Sequence, residues 1–251
     1  MRILIVTVAG LSTRFSRSIN RACLKCIYYE NDIRESLLYR ILKGSPQADK
    51  YVIVGGYLFD GLKAALDSKF GEFRDKILLV ENKKYEEYGS GYSLYLGLSA
   101  IKDLDYDEVV FAEGDLWVDG ESYQKIWDCQ KDVITCNRNP VLADKSVAFY
   151  YDKNFRIHYI FDTSHSMLEI KEPFRGIFNS GQIWKFVSRE RVLKTMDSLT
   201  QEMWSQTNLK FVQKYFEDLA REDYEMIMFR QWINCNTVAD FLEIREEEKL
   251  Q

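Results

Sequence analysis

Short apolar runs alternate with amphipathic stretches through the first half of this chain, and that rhythm restricts its fold more than any other feature. Arg2 to Val8 (RILIVTV), Tyr51 to Val54 (YVIV), Ile77 to Val80 (ILLV) and Glu108 to Ala112 (EVVFA) are apolar and rich in β-branched residues, as buried strands are. Between them, Ile33 to Leu42, Leu58 to Phe70 and Tyr92 to Ile101 read as helices. Strand and helix alternating at this pitch predict βαβ units and a mainly parallel sheet. After about Gly120 the rhythm changes. Val133 to Cys136, Val147 to Tyr151 and Arg156 to Phe161 read as strands without intervening helices, with a hairpin turn at Asp152-Lys153-Asn154. Phe178 to Phe186 is another strand candidate. Helices near Arg189 to Leu199 and Leu209 to Arg221, a strand at Glu225 to Phe229 and a terminal helix from about Val238 complete the reading. No Pro/Gly/Ser linker and no internal repeat divides the halves, so 1–251 is read as a single α/β domain.

At 251 residues the chain can bury a substantial core. Its 34 Lys and Arg against 39 Asp and Glu give a net charge of −5, which argues against a general nucleic-acid binder, since that needs a basic face. There is no apolar run of ~18 residues to span a membrane. The start, MRILIVTVAG, is too short and too strand-like for a signal peptide, which leads to a cytoplasmic expectation. Five cysteines include one CxxC, Cys23 to Cys26; Cys129, Cys136 and Cys235 are scattered, and His158 and His165 show no ligand spacing. Reduced thiols are the expected state.

Four stretches could carry chemistry. The first run ends in Ala9-Gly10, and Arg14, Arg17, Arg21 and Lys25 follow before the first acid of the chain, Glu30. Glycine lets backbone approach a ligand, and amides of such a turn can face phosphate oxygens. No GxxxxGK[ST] or GxGxxG occurs, and a solvated loop fits the same residues. Second, Glu113-Gly114-Asp115 closes EVVFA; two carboxylates one residue apart share a side of an extended chain. Such a pair suits Mg2+, which binds few carboxylates plus substrate phosphates, although solvated acids at a strand end look alike. Third, Gly89-Ser90-Gly91 is either a helix start with Ser90 as N-cap or a second ligand-side loop. Fourth, Asn179-Ser180-Gly181 puts a glycine inside a strand, for close approach by a ligand or for core packing.

In this order these stretches resemble nucleotidyltransferases of the sugar-1-phosphate and phosphocholine cytidylyltransferase type, over nearly the whole chain. That family opens with an Ala-Gly-x-Gly/Ser-[ST]-Arg-[FLM] turn, matched by Ala9 to Phe15, and Lys25 falls where its lysine belongs. Gly56-Tyr57, Asn82 to Tyr85, Ser93 to Gly97, Asp115, Asn179 to Gly181 and Trp232 to Phe241 resemble its later motifs. The run NKKYEEYGSGYSLYL is most similar to the phosphocholine branch, which also includes enzymes activating aminoalkylphosphonates. Two residues depart from the pattern: Leu24 replaces a proline, and Asn236 stands where the second metal-binding aspartate is usual.

The resemblance implies a Rossmann-related, GT-A-like three-layer fold with a mainly parallel, mixed sheet. Residues 1–120 would form the nucleotide half and 121–251 a β-rich acceptor half. It implies Mg2+-dependent transfer of NMP, with CTP favoured as donor, to a phosphorylated or phosphonate small molecule, releasing pyrophosphate. Arg14, Lys25 and Asp115 would be catalytic. Ala9, Gly10, Ser12, Thr13, Gly56, Tyr57, Gly91 and Ser93 would bind nucleotide, and Lys145, Asn179 and Gly181 the acceptor. Asp115, Asn236 and Glu113 would hold the metal. Neither nucleic acid nor membrane is an expected partner, a homo-oligomer is compatible, and the setting implied is cell-surface polysaccharide or lipid-headgroup synthesis. A GT-A glycosyltransferase, with Glu113-Gly114-Asp115 imitating Asp-x-Asp, and a non-catalytic binding module of the same fold are the alternatives.

Overall fold

The computed structural model describes residues 1–161 and 167–249; His165 lies outside them. Along the chain the strands are β1 (Arg2–Val8), β2 (Lys50–Gly55), β3 (Ile77–Glu81), β4 (Glu108–Glu113), β5 (Leu116–Val118), β6 (Asp132–Asn137), β7 (Ala148–Asp152), β8 (Ile157–Tyr159), β9 (Phe174–Phe186), β10 (Tyr224–Met228) and β11 (Trp232–Asn234). The helices are α1 (Thr13–Ser18), α2 (Leu37–Lys43), α3 (Phe59–Lys69), α4 (Ser90–Ser99), α5 (Gly120–Asp128), α6 (Arg189–Ser198), α7 (Gln201–Trp204), α8 (Leu209–Phe216) and α9 (Val238–Lys249).

Ile3 to Val6 are fully buried because β1 lies inside a sheet covered on both faces. The sheet order is β10-β6-β9-β4-β1-β2-β3. β1 pairs in parallel with β2 and β4, and β6 with β10. Along that path β9 runs against its neighbours β4 and β6, so the sheet is mixed and mainly parallel. Alternation along β1 sends Ile3 and Ile5 to a core shared with Leu94 of α4 and Phe211 of α8, and Leu4 and Val6 to a second core with Leu38 of α2 and Trp127 of α5. Those two cores make the three layers. The sheet has the expected α/β architecture.

β9 passes through both halves. Its C-terminal part pairs with β4 and β6, while its N-terminal part pairs with β7, which in turn pairs with β8. The junction is tied by Lys185, fully buried, which meets Glu108 at 2.8 Å and donates to the Trp127 carbonyl at 3.2 Å.

As expected, no helix separates β6, β7 and β8. α5, which the sequence reading did not single out, precedes them: Asp119 Oδ1 accepts from Ser122 N at 3.0 Å and starts α5. Two local expectations change. The hairpin turn extends beyond Asn154, with Phe155 in the left-handed region at φ 62°, because Asp152 Oδ1 accepts from the amides of both Asn154 and Arg156. The segment from Ile33 splits into a 3-10 turn and α2, which Ser36 caps through Tyr39 N. Among the described residues no helix is long and apolar enough to cross a membrane.

Candidate active site

The parallel strands β1 to β4 end at one edge, the place where open α/β sheets bind ligands. A cleft of about 430 Å³ opens there, between the Ala9–Ser12 turn, Asn82 to Ser93 and Glu113 to Asp115. Leu11, Ser12 and Lys25 also belong to an adjoining groove of about 210 Å³ that reaches Arg14 and Asn236.

The turn after β1 is short because Ser12 enters the left-handed region (φ 52°, ψ 30°) and α1 begins at once. Phe15 anchors it from below. Its ring meets Tyr28 with centroids 5.0 Å apart, and Tyr28 meets Phe241 of α9, also at 5.0 Å. Above this anchor, the amides of Gly10, Leu11, Ser12 and Thr13 have no protein acceptor among the described residues. Four consecutive donors are thus free at the lip of the cleft, as in anion-binding backbone concavities. Arg14 and Arg17 are exposed, whereas Arg21 lies 6.0 Å from the Tyr28 ring centroid.

Lys25 N donates to Ser12 Oγ at 3.4 Å, and the Lys25 ammonium reaches Asp115 Oδ2 at 2.7 Å and Asn236 Oδ1 at 3.2 Å. The ribbon of β5 and β11 creates this meeting of distant residues: it sets Asn234 opposite Leu116, and Cys235 N donates to the Asp115 carbonyl at 2.8 Å. Asn236 gives its amide Nδ2 to Asn234 Oδ1 at 2.9 Å, which turns its oxygen toward the lysine. Gly114 allows β4 to turn here. A Cβ on it would stand 2.2 Å from Val8 Cγ1, while its amide donates to the Thr7 carbonyl at 3.0 Å. Asp115 therefore follows a turn, not the extended chain expected from sequence, and reaches the site by that route.

Asp115 and Asn236 present oxygens that already converge on one cation, and Asp115 Oδ1 is buried without a hydrogen-bond partner. That donor set fits a hard divalent ion bound chiefly through substrate phosphates and water. No cluster of three His, Cys, Asp or Glu residues suited to a metal occurs among the described residues. Glu113 lines the same cleft. Burial, and secondarily the charge of Asp115, raise its pKa above the ordinary glutamate range, opposed by a hydrogen bond from Asn208.

Ser93 sits on the floor, accepting from Asn82 Nδ2 at 2.9 Å. The neighbouring Gly89-Ser90-Gly91 differs from the first turn. Gly89 N donates to the Ser205 carbonyl at 2.7 Å and Gly91 N to the Gln206 carbonyl at 2.9 Å. A Cβ on Gly91 would lie 2.7 Å from the Trp204 carbonyl oxygen, so this glycine serves contact with the α7–α8 connection and is not part of the cleft lining. Ser90 does not cap α4, because the N-cap is Gly89; Ser90 Oγ instead accepts from Asn208 N at 3.1 Å.

The remaining sequence candidates do not line the cleft. Gly56 packs under Tyr85, whose ring pairs with Tyr57 at 6.3 Å, and Tyr57 N donates to the Ala9 carbonyl at 3.2 Å. Asn179 Nδ2 donates to the Pro140 carbonyl at 3.3 Å, and Gly181 makes room for Phe229 and Thr135. Lys145 is exposed on the β6–β7 connection. Nearby, the rings of Phe149, Tyr151 and Tyr159 are core. Sequence reasoning did not single out Asn208; a lone asparagine before a helix gives no signal beyond capping.

The sequence model of a family described as "Domain of unknown function (DUF6564)" matches residues 21–248. The chain belongs to that family. No curated protein matches it in sequence. Solved structures do match in fold. The inositol-1-phosphate CTP transferase from T. maritima is 16% identical with a TM-score of 0.64, covering 96% of this chain and 91% of that one. The CTP:phosphocholine cytidylyltransferase from Streptococcus pneumoniae is 14% identical with a TM-score of 0.60, covering 100% of both. A protein provisionally assigned as a glucose-1-phosphate thymidylyltransferase from Bacillus anthracis is 13% identical with a TM-score of 0.67, covering 97% and 93%. The chain has the fold of nucleotidyltransferases of the sugar-1-phosphate and phosphocholine cytidylyltransferase type.

Proposed function

We propose that the chain is a nucleotidyltransferase that moves NMP, with CMP favoured, from a nucleoside triphosphate to a small phosphorylated or phosphonate acceptor. The observation that carries the reading is the convergence of Lys25, Asp115 and Asn236 beside the four free amides of Gly10 to Thr13. The activities by which the three structural neighbours are named support the same class.

An acceptor oxygen attacks the α-phosphorus; the new P–O bond forms as the bond to the β-phosphate bridging oxygen breaks, and pyrophosphate leaves. Positioning and charge neutralisation carry such a step. The amides of Gly10 to Thr13 hold triphosphate oxygens, with Arg14 beside them. Lys25 leaves Asp115 and Asn236 to meet the phosphates. Asp115 and Asn236, with Glu113 adjacent, would then hold Mg2+, which supplies charge neutralisation at the α-phosphate when bound. Asn82 and Ser93 lie on the cleft floor, on the side open to base and ribose.

Asn236 brings no charge, and this favours one second reading, a nucleotide-binding module without turnover. The test is 31P NMR of the chain with each of the four NTPs, Mg2+ and a panel of phosphocholine, aminoethylphosphonate and sugar 1-phosphates. Pyrophosphate appearing with a nucleotide-linked product supports transfer. Nucleotide binding with no product across the panel would leave the module reading.

A further inference from the structure

Asn208 is 1% exposed and stands immediately before α8. Its side chain does not cap that helix. Instead Nδ2 donates to Glu113 Oε1 at 2.5 Å, at the end of β4, and its backbone amide donates to Ser90 Oγ at 3.1 Å, at the start of α4. The Glu113 carboxylate has no other protein hydrogen-bond partner among the described residues, so this amide alone fixes it beside Asp115. The chain leading into Asn208 is tied to the second loop, because Ser205 and Gln206 accept from Gly89 and Gly91. One residue therefore joins the candidate metal edge to the second loop of the cleft. Charge-assisted bonds to a buried carboxylate are short and directional, and outer-shell partners orient the groups that hold a metal.

We infer that Asn208 is a positioning residue, which sets Glu113 for metal-linked nucleotide binding. This rests on the nucleotidyltransferase reading of the same site. Asn208 itself touches neither nucleotide nor metal in this account; its effect passes through Glu113.

The experiment is calorimetric titration of the full chain with CTP, in EDTA and in saturating Mg2+, and the readout is the ratio of the two dissociation constants. Asn208→Ser and Asn208→Ala are made in parallel, so that one folded variant suffices, and melting curves verify folding. The ratio should fall roughly 10- to 100-fold, while the metal-free constant stays near that of the wild type. Glu113→Ala should lower the ratio similarly, and adding Asn208→Ser to it should lower it no further, as a double-mutant cycle demands of a residue acting through its partner. A wild-type ratio in a folded Asn208 variant, equal weakening with and without Mg2+, or independent losses in the double variant would overturn the inference alone. A wild type that binds no CTP, or binds it indifferently to Mg2+, would overturn the metal-dependent reading and this inference with it.

Discussion

Two glycine-bearing loops stand at the same edge of the sheet and use their backbones in opposite ways. From Gly10 to Thr13 the amides are free, and a Cβ on Gly10 would meet nothing within 4 Å. The amides of Gly89 and Gly91 are spent on the carbonyls of Ser205 and Gln206, and a Cβ on Gly89 would stand 2.2 Å from the Gln206 oxygen. The first loop leaves its donors open at the cleft, and the second gives them to the protein. Unused donors at a cleft point to a binding surface more sharply than glycine content does.

The largest effect should come from the open side. Asp115→Ala removes one anchor of the Lys25 cation and should lower transfer on the order of 100- to 1,000-fold, read as initial rates of pyrophosphate release. A melting curve verifies that this variant stays folded, since the Lys25–Asp115 pair is largely buried, with 18% and 23% of its side chains exposed. On the closed side, Gly91→Ala forces a methyl group against backbone and should cost about 1–3 kcal/mol, a melting point lower by roughly several degrees. An unchanged melting point there would break the contrast.

Glu113, joined through Asn208 to the second loop, gives the comparison a pH signature. Its folded pKa is raised, so the native state holds the proton more tightly than the unfolded chain. Its contribution to stability is therefore complete below the ordinary glutamate value and is lost as pH rises toward the raised one. Glu113→Gln should gain stability relative to wild type through that window; melting curves at stepped pH check the sign. Smallest of all, Gly10→Ala should move stability by less than about 0.5 kcal/mol, because its Cβ points into open space. A large loss there would mean that the turn is packed.

Much of this was legible because it is periodic. β1, β2, β3 and β4 fall within about two residues of the apolar runs, and the turn from Ala9 to Ser12 and Asp115 line one cleft. Short or compound elements were not legible. β5 has three residues and no periodicity, and α5 hides behind Gly120, although its cap Asp119 was a usable signal. The two glycine loops look alike in sequence because what separates them, the nearness of the α7–α8 connection, is set by residues more than a hundred positions away. Asn236 was visible as a departure, but its oxygen facing Lys25 depends on Asn234 holding its amide. Gly91 and Gly181 carried a ligand expectation that crowding by protein atoms explains more directly.

The most direct measurement is a 15N-resolved NMR titration of the labelled chain with CTP and Mg2+, following amide shifts of both loops. The account predicts large, saturable shifts at Gly10, Leu11, Ser12 and Thr13, with small ones at Gly89 and Gly91. Shifts concentrated at Gly89 and Gly91, or none at the first turn under saturating nucleotide, would contradict it.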